Sequence, residues 1–319
     1  MAKVLGISAF YHDSAAALVV DGEIVAAAQE ERFSRRKNDA RFPLRAVGSC
    51  LELGGVTEGE LDAVVFYDKP IVKFARMLET YLSVVPGGLG SFVRVLPGWL
   101  SEKLNVRDVV RKRLVGLGKG CEVMFTTHHG AHAASAYYPS GFERAAVLTV
   151  DGVGEWATTT VGRGDGERLE MLEELRFPHS LGLLYSAFTA YCGFRVNSGE
   201  YKLMGLAPYG EPSYAKVIRD ELVEVRDDGS FRLNLEYFDF LKGGDRMTGS
   251  RFDALMGGPP RELGDGELGR RFMDVARSVQ EVTEEVVLGL ARRAVEVAGE
   301  RRLCMAGGVA LNCVANGKL

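Results

Sequence analysis

Residues 3–29, KVLGISAFYHDSAAALVVDGEIVAAAQ, decide the fold class. They contain three apolar runs, which are Val4 to Ala9, Ala15 to Val20 and Glu23 to Glu30. Short apolar runs bounded by polar residues predict strands, and a two-residue link such as Asp21-Gly22 is typical of a β-hairpin. The stretch therefore predicts a three-stranded meander whose first loop carries His12 and Asp13.

The same layout returns in the middle of the chain. Its three runs are Ala145 to Val150, Ala157 to Gly162 and Arg168 to Leu175. The first two are separated by the small, acidic loop Asp151-Gly152-Val153-Gly154-Glu155, and the last two by Gly164-Asp165-Gly166. A repeated order of elements predicts two related halves. We place the first half at residues 1–144, with a helical insertion at about 69–118, and the second at 145–319.

A histidine cluster precedes the second meander. His128 and His132 are four residues apart, so on a helix both imidazoles project from one face. Asp151, at the end of the next predicted strand, adds a carboxylate, and this set is typical of a metal site. Two histidines at this spacing also occur by chance, and the alternative is an ordinary first turn of a helix. His129 points about 100° away on the helix and is interpreted as structural.

Composition narrows the class of protein. The chain is 46% hydrophobic and 26% charged, with a net charge of −4, as expected for a globular protein without bulk affinity for nucleic acid. No apolar run approaches the roughly 20 residues that span a bilayer. Five scattered cysteines without a CxxC pair argue against a thiolate zinc site and predict a reduced, cytoplasmic protein.

Two further segments carry predictions. Leu303 to Ala306 is a predicted strand that runs into Gly307-Gly308, a turn that suits a phosphate or adenosine at a helix start. Residues 226–268 are rich in Gly, Pro and Asp and are predicted to be mobile or lid-like. The chain stops at Leu319, a few residues into the helix after this turn, and we expect it to be a fragment.

Six stretches in a fixed order point to one family. They are LGI (5–7) through YHDSAA (11–16), EERFSR (30–35) with Lys37 and Asp39, HHGAHAASA (128–136), LTVDGVGEW (148–156), EYKLMGLAPYG (200–210) and GGVALN (307–312). Together they resemble the NodU/CmcH/TobZ-type carbamoyltransferase family, specifically its N-terminal Kae1-like domain. The resemblance covers nearly the whole chain.

The resemblance implies an α/β ASKHA fold, the actin/sugar-kinase/Hsp70-like architecture of two RNase H-like halves around a nucleotide cleft. It also implies a reaction. A C-terminal YrdC-like domain makes carbamoyl adenylate from carbamoyl phosphate and ATP, and the Kae1-like domain passes the carbamoyl group to a substrate hydroxyl. The family's metal ligands correspond to His128, His132 and Asp151, which are expected to hold Fe(II) or another divalent metal. A further aspartate and the YrdC-like domain are expected beyond Leu319, so the metal site of this chain is expected to lack one ligand.

The catalytic candidates are His12, Lys37 and Asp151, the last of which is also a candidate metal ligand. His12 is a candidate general base, and the alternative is a loop histidine that only shapes the turn. Lys37 is a candidate contact to carbamoyl or phosphate oxygens, and the alternative is a surface lysine. The candidates for nucleotide contact are Gly152, Gly182, Gly308 and Asn312, and for the glycines the alternative is tight-turn geometry.

Two other functions stay open. One is tRNA threonylcarbamoyl transfer, the role of Kae1-type proteins, which share the HxxxH pair. The other is an inactive domain that binds nucleotide or metal. The resemblance implies a small-molecule or natural-product alcohol as the acceptor, with antibiotic biosynthesis as one expected setting. Aminoglycosides, cephem or polyketide alcohols and lipo-oligosaccharides all fit the family, and the sequence does not select among them. The partners expected are this acceptor and a YrdC-like domain in cis or in trans, with neither membrane nor nucleic acid.

Overall fold

The computed structural model describes residues 1–243, 246–262, 266 and 268–319. Contacts divide the chain into two compact units, the first formed by residues 1–77 and 93–128 and the second by residues 78–92 and 129–319. The strands are β1 (Lys3–Ser8), β2 (Ala15–Val20), β3 (Glu23–Gln29), β4 (Ala63–Phe66), β5 (Glu122–Phe125), β6 (Arg144–Val150), β7 (Ala157–Asp165), β8 (Arg168–Arg176), β9 (Val223–Val225), β10 (Phe231–Leu233) and β11 (Leu303–Ala306). The α-helices are α1 (Glu31–Ser34), α2 (Leu44–Gly54), α3 (Pro70–Ser83), α4 (Leu89–Gly98), α5 (Val106–Arg113), α6 (His128–Tyr137), α7 (Leu181–Tyr191), α8 (Glu200–Leu206), α9 (Ala215–Val217), α10 (Ser250–Leu255), α11 (Arg270–Ala298) and α12 (Cys313–Asn316).

The first unit is built on a five-stranded sheet of order β3-β2-β1-β4-β5. Its first three strands form the predicted meander, in which Leu5 pairs with Leu18 and Ala17 with Ala27. β4 pairs parallel to β1, and β5 pairs parallel to β4. Helix α2 packs on this sheet through its apolar face, which includes the fully buried Ala46.

The second unit repeats that order. Its main sheet runs β11-β6-β7-β8, in which β6, β7 and β8 form an antiparallel meander and β11 pairs parallel to β6. β11 therefore has the place beside β6 that β4 has beside β1. Helices α7 and α11 bury their apolar residues against this sheet, and Leu148, Phe188 and Val286 are fully buried there.

The repeated sheet order confirms the predicted fold class, an α/β ASKHA fold with two related halves. In each half a meander is followed by a parallel strand at the free edge of its first strand. The predicted segment boundaries, 1–144 with an insertion at about 69–118 and 145–319, stay predictions. Among the described residues, none of the helices combines the length and the hydropathy that a bilayer crossing requires.

The prediction for residues 226–268 is wrong for the part that the structure describes. β10 pairs with β9, and the segment supplies core side chains, among them Phe231, Phe238 and Phe252. The prediction failed because Gly and Pro turns separate short elements here, and burial of their apolar residues is decided by tertiary contacts. Residues 244, 245, 263–265 and 267 lie outside the described residues.

Candidate metal centre

The two candidate histidine ligands lie in the first two turns of helix α6. The helix begins at His128 itself, so the four-residue spacing puts His128 and His132 on one helix face, as predicted. The ring of Tyr67 meets the His128 ring edge-on, with 5.5 Å between centroids. Both histidines are partly buried.

Asp151 completes the group. It follows β6 directly, and one of its carboxylate oxygens, Oδ2, lies 3.5 Å from Nε2 of His132. One donor atom from each of His128, His132 and Asp151 can be chosen so that all lie within 4.8 Å of one another. The donor atoms of two ligands that share one transition-metal ion are roughly 3 to 3.5 Å apart. The 3.5 Å between His132 and Asp151 lies within this range. Two imidazoles and a carboxylate are the donor set of non-haem iron(II) sites, so the residues fit the implied metal.

The other oxygen of Asp151 is held by the main chain. The N–H of Gly308 donates to Oδ1 at 3.0 Å, so the two carboxylate oxygens have different surroundings. Gly307 precedes it with a φ of +99° and packs on the end of β6, where an added Cβ would lie 2.3 Å from the carbonyl oxygen of Val150. Only glycine both adopts this positive φ without strain and fits this close to the main chain of Val150. The turn after β11 therefore sets the direction in which Oδ2 points.

Helix α7 supports the same loop from the other side. Ser180, its N-cap residue, lies with Oγ 2.5 Å from the carbonyl oxygen of Gly152 and 3.1 Å from that of Asp151. A Cβ on Gly182 would lie 2.7 Å from the main chain of Asp151 and Gly152. The helix start can therefore lie directly against the acidic loop only because residue 182 has no side chain.

His129 has the structural role that its direction on the helix predicts. Its buried ring places Nδ1 2.5 Å from Oγ1 of Thr149, which in turn lies 2.6 Å from Oγ1 of Thr160. This chain of hydrogen bonds ties helix α6 to β6 and β7. It fixes the helix that carries His132 relative to the strand that ends at Asp151.

His179 lies away from this group. Its Nδ1 accepts a hydrogen bond from the N–H of Leu233 at 3.2 Å. Burial lowers the pKa of His179, and the nearby charge of Arg232 lowers it further. The residue is a structural, neutral acceptor, in agreement with the absence of any motif around it.

The first unit carries the other two catalytic candidates. In the loop after β1, Nδ1 of His12 lies 2.8 Å from the carboxylate of Asp13, which also accepts from the side chain of Asn38 at 3.2 Å. A carboxylate at Nδ1 fixes the tautomer in which Nε2 carries the lone pair. The side chain of Lys37 is exposed in the neighbouring turn. The roles of His12 and Lys37 stay predictions.

The charged stretch around these residues is more ordered than a solvated loop. Glu30 is buried and accepts from the N–H groups of Arg45 and Ala46, at the start of helix α2. Asp39 is buried as well, and its hydrogen bonds to the Arg41 side chain hold the pKa of the Asp39 carboxyl far below its usual range. Both acids fix the loops of the first unit.

The candidates for nucleotide contact have identifiable structural partners. Gly308 donates its N–H to Asp151, Gly182 packs on the acidic loop, and an added Cβ on Gly152 would meet open space. Asn312 is buried, and its Oδ1 caps helix α12 by accepting from the N–H of Ala315 at 3.0 Å. A nucleotide contact by any of the four stays a prediction.

Sequence reasoning did not single out Ser180 or Gln280, which also support this region. Ser180 precedes an apolar helix and has the signature of an N-cap, so that signal was available. Gln280 falls among valines on the core face of α11, and a lone polar residue in such a pattern indicates a buried hydrogen-bond partner. The identity of that partner is not a local property of the sequence.

Comparison with known proteins gives the family. Residues 3–319 match the family model described as Carbamoyltransferase N-terminus. An uncharacterized protein of Synechocystis is 55% identical over an alignment of 325 residues, which covers the whole of this chain and 52% of that protein. The nodulation protein NolNO of Sinorhizobium fredii is 34% identical over 317 residues, which are 97% of this chain and 42% of that protein. The chain thus spans about half the length of these relatives.

Solved structures are more distant. HypF of T. kodakarensis aligns over 99% of this chain and 43% of its own with 11% identity and a TM-score of 0.46, a likeness too weak to support a conclusion. The family match instead spans nearly the whole sequence and agrees with the family that the six stretches resemble. The chain belongs to the carbamoyltransferase N-terminus family.

Proposed function

We propose that this chain carries the carbamoyl-transfer site of an O-carbamoyltransferase. In this reaction the carbamoyl group of carbamoyl adenylate, made from carbamoyl phosphate and ATP, passes to a hydroxyl of a small-molecule acceptor. The observation that carries the proposal is the group of His128, His132 and Asp151, within 4.8 Å, in a chain of this family.

The protein residues of this group would hold a divalent cation, and we favour Fe(II) for its match to two imidazoles and one carboxylate. A cation bound there would supply positive charge for the phosphate oxygens of the leaving group. The Gly308 N–H keeps Oδ1 of Asp151 engaged and leaves Oδ2 directed at His132. The protein thereby presents one carboxylate oxygen to the cation.

The transfer is a nucleophilic substitution at the carbamoyl carbon. The acceptor oxygen forms the new C–O bond, the bond from the carbamoyl carbon to the phosphate oxygen breaks, and AMP leaves with the electron pair. The acceptor's proton passes to Nε2 of His12, because Asp13 holds the other ring nitrogen as the N–H donor. We assign the Lys37 ammonium to an anionic oxygen of the carbamoyl adenylate.

Nucleotide binding is assigned to main-chain groups of the second unit. Gly152 and Gly308 have no side chains to block an approaching phosphate or adenosine, and Asn312 lies in the turn that follows Gly308. Gly182 contributes by packing on the main chain of Asp151 and Gly152, which holds that loop in place. We propose that carbamoyl adenylate is delivered by a YrdC-like domain, either in cis or as a separate chain. The support is that the relatives are about twice as long as this chain.

The test is a transfer assay under anaerobic conditions. The protein is loaded with Fe²⁺ and given synthetic carbamoyl adenylate with a panel of aminoglycosides, cephem and polyketide alcohols and lipo-oligosaccharides. AMP release that depends on one acceptor, with a carbamoylated product seen by mass spectrometry, is expected. His132→Ala should lose at least 100-fold in rate, whereas His179→Asn, which keeps an acceptor for the Leu233 N–H, should stay near the wild-type rate. Failure of every acceptor while AMP is neither bound nor released would contradict the proposal.

A further inference from the structure

Gln280 is a polar residue that the proposed reaction does not use. It lies on helix α11 with 1% of its surface exposed, between valines that belong to the core. Burying an amide is unfavourable unless each of its polar groups is hydrogen-bonded. A buried glutamine with a complete set of partners therefore fixes those partners in one arrangement.

The partners of Gln280 form a closed network. Its Oε1 accepts from the Tyr185 hydroxyl at 2.9 Å and from Nδ2 of Asn312 at 2.9 Å. Its Nε2 donates to Oδ1 of Asn312 at 3.0 Å and to Glu284 at 3.1 Å. The two amides thus exchange a reciprocal pair of hydrogen bonds, which sets the orientation of both. Tyr185, Glu284 and Asn312 are themselves buried.

The network continues into the turn that holds Asp151. Asn312 ends this turn, and its Oδ1 also caps helix α12 through the N–H of Ala315. The Asn312 N–H donates to the carbonyl oxygen of Val309, which closes the turn behind Gly308. The Gly308 N–H then holds Oδ1 of Asp151. Every step from Gln280 to the carboxylate is a hydrogen bond or a neighbouring peptide within the second unit.

We propose that Gln280 is a positioning residue for the metal ligand Asp151, acting through the Asn312 amide and the turn at residues 307–312. The inference rests on the proposed metal site and adds a residue that no motif of the chain assigns. A purely structural role for Gln280 predicts a change in stability and none in metal affinity. The positioning role predicts that metal affinity falls in protein that is still folded.

The test is a titration of the metal-free chain with Co²⁺, followed by visible absorption, for three variants. Gln280→Met keeps the side-chain length and removes the amide, so Asn312 loses its reciprocal partner. Thr283→Val is the matched control, since Thr283 is fully buried on the same helix and its hydroxyl donates only to the Val279 carbonyl of that helix. His132→Ala removes a proposed ligand. Circular dichroism establishes that each variant is folded at the temperature of the titration.

For Gln280→Met we expect the Kd for Co²⁺ to rise about tenfold, the lower end of the effect seen when groups that orient metal ligands are lost. Thr283→Val should stay within about twofold of the wild type, whatever its thermal stability. Unchanged affinity of folded Gln280→Met would overturn the positioning role while leaving the metal site in place. If Gln280→Met does not fold, Tyr185→Phe, which removes one donor to Gln280, takes its place, and wild-type affinity for that variant has the same meaning. Wild-type Co²⁺ binding that His132→Ala leaves unchanged would overturn the metal site and this inference together.

Discussion

Gly182 determines how closely helix α7 approaches the acidic loop. An added Cβ would lie 2.7 Å from the carbonyl group of Asp151 and from the main-chain nitrogen of Gly152, and main-chain atoms cannot move aside as a flexible side chain can. We expect Gly182→Ala to lower the free energy of unfolding by about 1 to 3 kcal/mol, the usual cost of overpacking. Urea denaturation followed by circular dichroism measures it.

Gly205 offers the control for that change. It lies inside helix α8, and an added Cβ meets open space. Gly205→Ala should therefore raise the free energy of unfolding by about 0.5 to 1 kcal/mol, because alanine is favoured over glycine inside a helix. Equal stability of Gly182→Ala and the wild type would show that the loop is free to move and that Gly182 does not fix its position.

The clustering of His128, His132 and Asp151 was predictable because it follows from local geometry. His128 and His132 are related by the pitch of one helix, and Asp151 directly follows the strand that comes after that helix in the chain. Gln280 was not predictable, because its amide partner Asn312 lies 32 residues away. Such pairings depend on how helix α11 packs, which no local spacing encodes.

Glu30 connects two elements, the end of β3 and the start of helix α2. Its carboxylate accepts from the N–H groups of Arg45 and Ala46, which have no partners within the helix, and it lies at the positive end of the helix dipole. We expect Glu30→Ala to lower the free energy of unfolding by about 1 to 2 kcal/mol. Thermal and urea denaturation should both detect the loss.

Glu52→Ala is the matched control, since Glu52 lies on the same helix with an exposed side chain. Its effect should stay within about 0.5 kcal/mol. If both variants lose the same stability, the loss reflects removal of negative charge, and the capping role of Glu30 is wrong.

Elements whose apolar residues recur at a regular spacing were predictable, and short elements without such a spacing were not. Both meanders follow from local pattern, and β11 has the predicted bounds. The valines of helix α11 recur at the three-and-four spacing that is typical of a buried helix face. β9 and β10 have three residues each. Phe231 on β10 is buried because the second unit packs around it. The turn-rich local sequence does not encode this packing, so the burial of Phe231 could not be predicted from it.

The repeated sheet is the property of the whole molecule that the sequence predicted best. The two meanders share a layout with little sequence in common, because an order of apolar runs and turns is enough to specify hairpins. The parallel strands β4 and β11 were harder to place, because their pairing partners lie far away in the sequence. The family match agrees with the class inferred from six short stretches.

We expect His128, His132 and Asp151 to hold a divalent metal in this chain. The most direct measurement is the metal content after anaerobic reconstitution with Fe²⁺ and removal of excess ion, read by inductively coupled plasma mass spectrometry. We predict that the wild-type chain retains metal, below one equivalent if the expected fourth ligand lies outside this chain, and that His128→Ala with His132→Ala retains less than a tenth of the wild-type amount. His179→Asn should match the wild type. Equal metal content in the double variant and the wild type would contradict the account.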